Sequence, residues 1–263
     1  MNVQGQAAVV TGAASGLGAA TARALAAAGA RVALLDQNRD GIAAVAAETG
    51  GLALPCDITD PDAAAAALAE ARRLQGGARI LVNCAGVAPA RKIVGRDGAM
   101  PLDAFRRVID INLIGSFNMI RLFAADAVAL DRLDDGEQAA GEQAAGERAV
   151  IVNTASVAAF EGQIGQAAYA ASKGAIVALT LPAAREFAGH GIRICAIAPG
   201  IFETPMMAGM PDTVRDGLAA LVPFPRRLGR PQEYAALVLH IVGNAMLNGE
   251  TIRLDGALRM AGG

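Results

Sequence analysis

Short apolar runs alternate with longer, alanine-rich segments along most of this chain. The runs span 7–10, 31–35, 52–55, 80–82, 150–153, 193–198 and 251–254. Their length and their bounding turn residues predict buried strands. The segments between them predict helices over 17–28, 40–48, 62–74, 102–130, 166–188 and 232–242. Strands that are apolar on both faces and alternate with helices belong in a parallel sheet covered on each side. The pattern therefore predicts an α/β fold with a doubly wound parallel sheet (Rossmann-like), in a single domain spanning 1–263. Pro231, ahead of Gln232 and Glu233, suits the first position of the last helix.

Two segments break the alternation. Residues 131–148 carry the near-repeat Gly-Glu-Gln-Ala-Ala, whose charges and glycines predict a solvated, mobile insert. Residues 201–230 are richer in Pro, Met and Phe and follow a strand end. Phe202, Met206, Met207, Met210, Leu218, Leu221 and Phe224 make that segment either a substrate lid or packing against a neighbouring subunit.

Composition narrows the class. At 263 residues the chain can bury a sizeable core, and its net charge of −2 with no basic block argues against nucleic acid as the ligand. No uninterrupted apolar run approaches the ~18 residues that span a bilayer, so no membrane association is expected. The first strand starts too early to leave room for a signal or transit peptide. Cys56, Cys84 and Cys195 are odd in number and widely spaced, which fits reduced thiols in a cytoplasm. His190 and His240 lack companions, and no metal site is expected.

The chemistry starts at Thr11-Gly-Ala-Ala-Ser-Gly-Leu-Gly18, between the first strand and first helix. Gly12 permits a tight turn, Gly16 a close approach to pyrophosphate, and Gly18 tight helix–sheet packing, with helix N–H groups facing the phosphates. Asp36 ends the second strand, where a carboxylate accepts from a ribose and repels a 2′-phosphate, or else serves as a turn or cap. With Gln37 following it, Asp36 points to NAD. Asp57 suits either a cap or the adenine edge, and Asp60 is the better cap. Asn83-Cys-Ala-Gly86 offers small residues, Ala85 and Gly86 among them, beneath a cofactor. Asn112, an amide in an apolar helix, fits a structural link or a water-holding role near Lys173.

Tyr169 and Lys173 stand four apart on one helix face, so the ammonium is expected to lower the phenol pKa. Ser156 lies upstream, just past Asn153-Thr154-Ala155. With Thr11–Gly18, Asp36, Asn83–Gly86, Asn112 and Pro199-Gly200, this set resembles the short-chain dehydrogenase/reductase family. Cys84 stands where many members carry a second Asn. Cys84, the stretches 153–169 and 222–229, and the stretch 247–260 are similar to the narrower group of type-2 3-hydroxyacyl-CoA dehydrogenases, also described as type-10 17β-hydroxysteroid dehydrogenases.

The resemblance implies roles. Tyr169 would be the general acid/base, Lys173 would lower its pKa and bind the nicotinamide ribose, Ser156 would hold the reacting oxygen, and Asn112 a linking water. Ser15, Leu17, Asp57, Ile58 and Cys84 would line the adenosine half of NAD, with Pro199, Phe202 and Thr204 closing over the nicotinamide and pyrophosphate. It implies a homotetramer with contacts along helices 102–130 and 166–188, and oxidation of a short 3-hydroxyacyl-CoA. The rivals are a steroid or other secondary alcohol, reduction of 3-oxoacyl chains, and a scaffold subunit without turnover.

Overall fold

In a computed structural model, the described residues are 1–133, 146–208 and 212–262. Strands β1 (Ala7–Thr11), β2 (Arg31–Asp36), β3 (Leu52–Pro55) and β4 (Ala78–Asn83) are followed by a small antiparallel pair, β5 (Val94–Gly95) and β6 (Gly98–Ala99). Then come β7 (Ala149–Thr154), β8 (Ile192–Pro199) and β9 (Thr251–Leu254). The main sheet is parallel, in the order β3-β2-β1-β4-β7-β8-β9. All seven expected strands are present. The β5–β6 pair was not expected, because two-residue strands leave no periodic pattern to read.

Strand alternation sorts the core into two layers. Val10, Leu34, Val82 and Val152 face α1 (Gly16–Ala27), α2 (Arg39–Thr49) and α9 (Pro231–Gly243). Val9, Leu35, Leu81 and Ile151 face α3 (Pro61–Gln75) and α5 (Ser116–Val128), the latter through Met119 and Phe123. These strand residues are wholly buried, as the two-sided apolar runs require. The spans Leu102–Val128 and Ala167–His190 are long and apolar enough to cross a membrane. Both lay an apolar face on the sheet, through Phe123 in the first and Ile176 and Ala184 in the second.

Local chemistry sets the helix ends. Asp60 caps α3 by accepting from Asp62 and Ala63 N–H, with Pro61 at the first position. Glu233 reaches back to Arg230 N–H at the start of α9, after which Pro231 opens the helix as its position predicts. The helix expected over 102–130 is α4 (Leu102–Ile109) and α5, joined by one wide turn over Asp110–Gly115. Helix α6 (Ala167–Phe187) carries the Tyr169–Lys173 pair. After β8, α7 (Pro205–Ala208) and α8 (Asp212–Ala220) occupy the segment read as a lid or as packing against a neighbouring subunit. Met210 and the near-repeat of the insert lie outside the described residues. At the insert's flanks, Leu133 N–H donates to Glu147 O at 2.8 Å.

Strand order reverses between β1 and β4. At such a switch point the connections leave in opposite directions and open a crevice beyond the strand ends. The candidate residues lie there.

Candidate active site

A cavity of about 1080 Å³ opens at the carboxyl ends of β1, β2, β4, β7 and β8. Its wall includes every residue expected at the site except Asn112.

At one end is the glycine loop. Gly12 has φ +65°, and a Cβ there would come within 2.6 Å of Ala85 N, so the loop and the end of β4 meet only without a side chain. A Cβ on Gly18 would strike the Gly12 carbonyl, which fixes how closely α1 approaches its own loop. Ser15 precedes α1 in extended conformation, and its side chain makes no cap hydrogen bond. The helix N-terminus thus presents N–H groups to the cavity, an arrangement that favours phosphate.

Asp36 closes the far side of this pocket. Its Oδ2 accepts from Ala14 N–H at 3.2 Å and its Oδ1 from Asn38 N–H at 3.0 Å. It therefore steadies the glycine loop as well as facing the cavity, where two oxygens retain lone pairs for further donors. Asp57 turns back on Thr59, accepting from its N–H at 2.9 Å and its hydroxyl at 2.7 Å. Ile58 packs so tightly on Gly115 that a Cβ there would lie 2.8 Å from it.

The other end holds the titratable set. Lys173 is 4% exposed, and burial lowers its ammonium to about 8. Its Nζ donates to Thr154 O at 2.7 Å and lies 5.8 Å from the centre of the Tyr169 ring. Burial pushes the Tyr169 phenol above its ordinary value, and hydrogen bonding by Ser156 opposes that rise. The expected lowering by Lys173 is not met: desolvation of the phenolate dominates, and Ser156 is what opposes it. Ser156 Oγ also accepts from Ala158 N–H at 3.1 Å, which fixes its rotamer toward the cavity end.

Asn112 is fully buried behind this wall. Its Oδ1 accepts from Val87 N–H at 2.8 Å, and its Nδ2 donates to Val87 O at 2.9 Å and Ser172 Oγ at 3.0 Å. The side chain is a brace tying the chain after Gly86 to α6. Of the two roles weighed for it, this geometry matches the structural link.

Taken together, a glycine cradle that side chains would fill, a helix N-terminus and a strand-end carboxylate fit the pyrophosphate and ribose of a dinucleotide. The sequence pattern of the short chain dehydrogenase family matches residues 6–215. The chain belongs to that family. This dehydrogenase is accordingly an oxidoreductase that depends on a nicotinamide nucleotide. It is 51% identical to 3-hydroxyacyl-CoA dehydrogenase type-2 of Bos taurus, over 98% of this chain and 97% of that one. It is 49% identical to the Homo sapiens protein of the same name, with the same coverage. A crystal structure of 3-hydroxyacyl-CoA dehydrogenase type-2 from Mycobacterium avium superposes with a TM-score of 0.91 at 39% identity, covering 98% of each chain.

Three polar residues at or just behind the dehydrogenase's site were not singled out from sequence. Thr11 Oγ1 accepts from Cys84 and Ala85 N–H, both at 3.2 Å, and so shapes the chain under the cavity. Thr154 supplies the Lys173 acceptor and donates its hydroxyl to Asn83 O at 2.6 Å. Tyr234, from α9, lies 2.7 Å from the same hydroxyl. Thr11 and Thr154 end core strands, and a polar residue closing an apolar run was the available signal. Tyr234 gave none, since an aromatic on an apolar helix face reads as core.

Proposed function

We propose that this dehydrogenase oxidises the 3-hydroxyl of short-chain 3-hydroxyacyl-CoA thioesters to 3-oxoacyl-CoA with NAD. The observation that carries the chemistry is the convergence of Ser156, Tyr169 and Lys173 on a cavity that also holds the glycine cradle. The substrate class is supported by the full-length likeness to relatives named for that activity. NAD is supported by Asp36, whose carboxylate would lie against the ribose hydroxyls and repel a 2′-phosphate.

When bound, the nicotinamide nucleotide supplies the hydride acceptor. Ser156 and Tyr169 hold the substrate hydroxyl, and Tyr169 takes its proton as the carbinol carbon is oxidised. The Lys173 ammonium, anchored on Thr154 O, favours the phenolate. Phe202, Thr204 and Met207 wall the cavity from the segment after β8 and would exclude water from the reacting carbon.

We extend the proposal to a homotetramer in a reducing, cytoplasmic compartment, without a membrane or nucleic-acid partner. Half-exposed Ile114, Phe117 and Leu181 on the two long helices support assembly, since neighbouring subunits would cover them. The free thiols of Cys56, Cys84 and Cys195 support the compartment.

The test compares kcat/KM for 3-hydroxybutyryl-CoA with that for free 3-hydroxybutyrate. The CoA ester should be far superior, because remote binding energy can raise reactivity at the carbinol. Equal values would reduce the reading to a general secondary-alcohol dehydrogenase, for which a steroid alcohol is the next substrate to try.

A further inference from the structure

Tyr234 is wholly buried on α9, outside the cavity wall, and the reaction outlined above does not use it. Its hydroxyl lies 2.7 Å from Thr154 Oγ1 and 3.8 Å from Cys84 Sγ. The direction of these bonds follows from one fixed acceptor. Thr154 Oγ1 donates its single hydrogen to Asn83 O, a carbonyl that can only accept. Tyr234 must therefore donate to Thr154, which leaves its oxygen to accept from the Cys84 thiol.

The result is a one-way chain, Cys84 S–H to Tyr234 O–H to Thr154 O–H to Asn83 carbonyl. Burial holds both the phenol and the thiol above their ordinary values, so all members stay protonated and neutral. The chain ties α9, the end of β4 and the end of β7 at the residue whose own carbonyl receives Lys173 Nζ. The neighbours of Tyr234 in this layer, Val238, Ile241 and Val242, are apolar. A phenylalanine would fill the same space; only the hydroxyl requires Thr154.

We infer that Tyr234 is a positioning residue for proton transfer: by fixing Thr154, it holds the carbonyl on which the Lys173 ammonium rests beside Tyr169. The inference rests on the reading that Tyr169 and Lys173 carry the proton. Among the described residues, the titratable groups facing Lys173 are Tyr169 from its own helix, Cys84 beyond β4 and, across Thr154, Tyr234 from α9. Losing the Tyr234 hydroxyl leaves the Thr154 side chain tied to Asn83 O alone and uncouples the end of β7 from α9. The Thr154 carbonyl then shifts with the strand end, the ammonium moves off Tyr169 and the Tyr169 phenolate becomes harder to form.

The composition makes this measurable, because the chain has two tyrosines and no tryptophan. In Tyr234→Phe, Tyr169 is the sole phenol, and ultraviolet absorbance titrates it directly. Its midpoint with NAD bound should lie about one pH unit above the first phenolate step of the unmodified protein, a tenfold change in the ionisation constant. On the limb where oxidation of 3-hydroxybutyryl-CoA rises with pH, the rate should fall by the same factor at fixed pH. Thr154→Val should show the same shift, Thr154→Ser should restore both values, and the double variant Tyr234→Phe/Thr154→Val should lose no more than Thr154→Val alone. A folded Tyr234→Phe with unchanged midpoint and limb, or additive losses in the double variant, would overturn the inference. Failure of the underlying reading looks different: Tyr169→Phe would then turn over normally, whatever Tyr234 does.

Discussion

Lys173 Nζ donates to the Thr154 carbonyl at 2.7 Å, so this buried ammonium is held by a strand end and not by a carboxylate. Its lowered value of about 8 makes it a stability cost with a definite pH window. Below pH 8 both folded and unfolded states bind the proton, and the folded state bears the whole penalty. Between 8 and the unfolded value of ~10.4 only the unfolded state binds it, so stability rises with pH. The full penalty is on the order of 3 kcal/mol. Lys173→Met removes it but leaves the Thr154 carbonyl unpaired, at a cost of about 1–3 kcal/mol. The variant should be at least as stable as the unmodified protein at pH 7 and lose that advantage by pH 10.5. Denaturant unfolding at the two pH values checks this, and a pH-independent difference would refute it.

Tyr169→Phe deletes one oxygen and little volume, so cofactor binding should persist while proton transfer fails. Turnover should fall by ~10²–10⁴, the usual contribution of a general base. Stopped-flow or steady-state kcat, alongside an NADH titration by fluorescence, separates the two effects. A near-normal kcat would remove Tyr169 from the mechanism.

How much of this was legible beforehand depends on whether a feature is local. The strands around Val9, Leu81 and Ile151 were readable because two-sided burial forces an apolar run between turn residues. The Asp60 cap and the Pro231 start were readable because each acts within one helical turn. The wide turn at Asp110–Gly115 was not, since Asp-Ile-Asn-Leu-Ile-Gly is ordinary helical composition. Nor was the alliance of Tyr234 with Thr154, residues 80 apart in sequence that meet only once α9 lies against the sheet. The Tyr169 pKa shows the same limit: spacing revealed the nearby ammonium but not the burial that opposes it.

Asp36 should decide cofactor choice, with a complication that its hydrogen bonds introduce. Removing the carboxylate in Asp36→Ala relieves repulsion of a 2′-phosphate, so the KM for NADP should fall. It also releases Ala14 and Asn38 N–H, so the glycine loop should loosen and the KM for NAD should rise. Asp36→Asn keeps one acceptor and should loosen the loop less. Initial rates with both cofactors test this; equal kcat/KM for NAD and NADP in the unmodified protein would overturn the assignment.

Arg253 should control the substrate end of the cavity through the C-terminal segment. Its guanidinium pairs with both Glu161 oxygens at 2.9 and 3.0 Å, with Asp255 at 2.7 Å and with Leu258 O at 2.9 Å. Glu161 in turn accepts from Met260 N–H at 3.1 Å, and Met260 lines the cavity. Arg253, with Arg259 on the same Glu161 and Asp255, therefore fastens the stretch around Met260 over the loop that leads into α6. A charge-assisted pair of this kind, with both partners about one-fifth exposed, is stronger than a surface ion pair. Arg253→Met should loosen the segment, which Arg259, Gln163 and Ile164 still hold in part, and raise the KM for 3-hydroxybutyryl-CoA by about tenfold, equivalent to 1.4 kcal/mol. The KM for NAD should hardly move, because the glycine loop and Asp36 lie on the other side of the cavity. Arg253→Lys should not rescue it, since an ammonium cannot engage both carboxylate oxygens in the same planar geometry. A parallel rise in both KM values would mean that Arg253 supports the fold as a whole and has no selective hold on the substrate end.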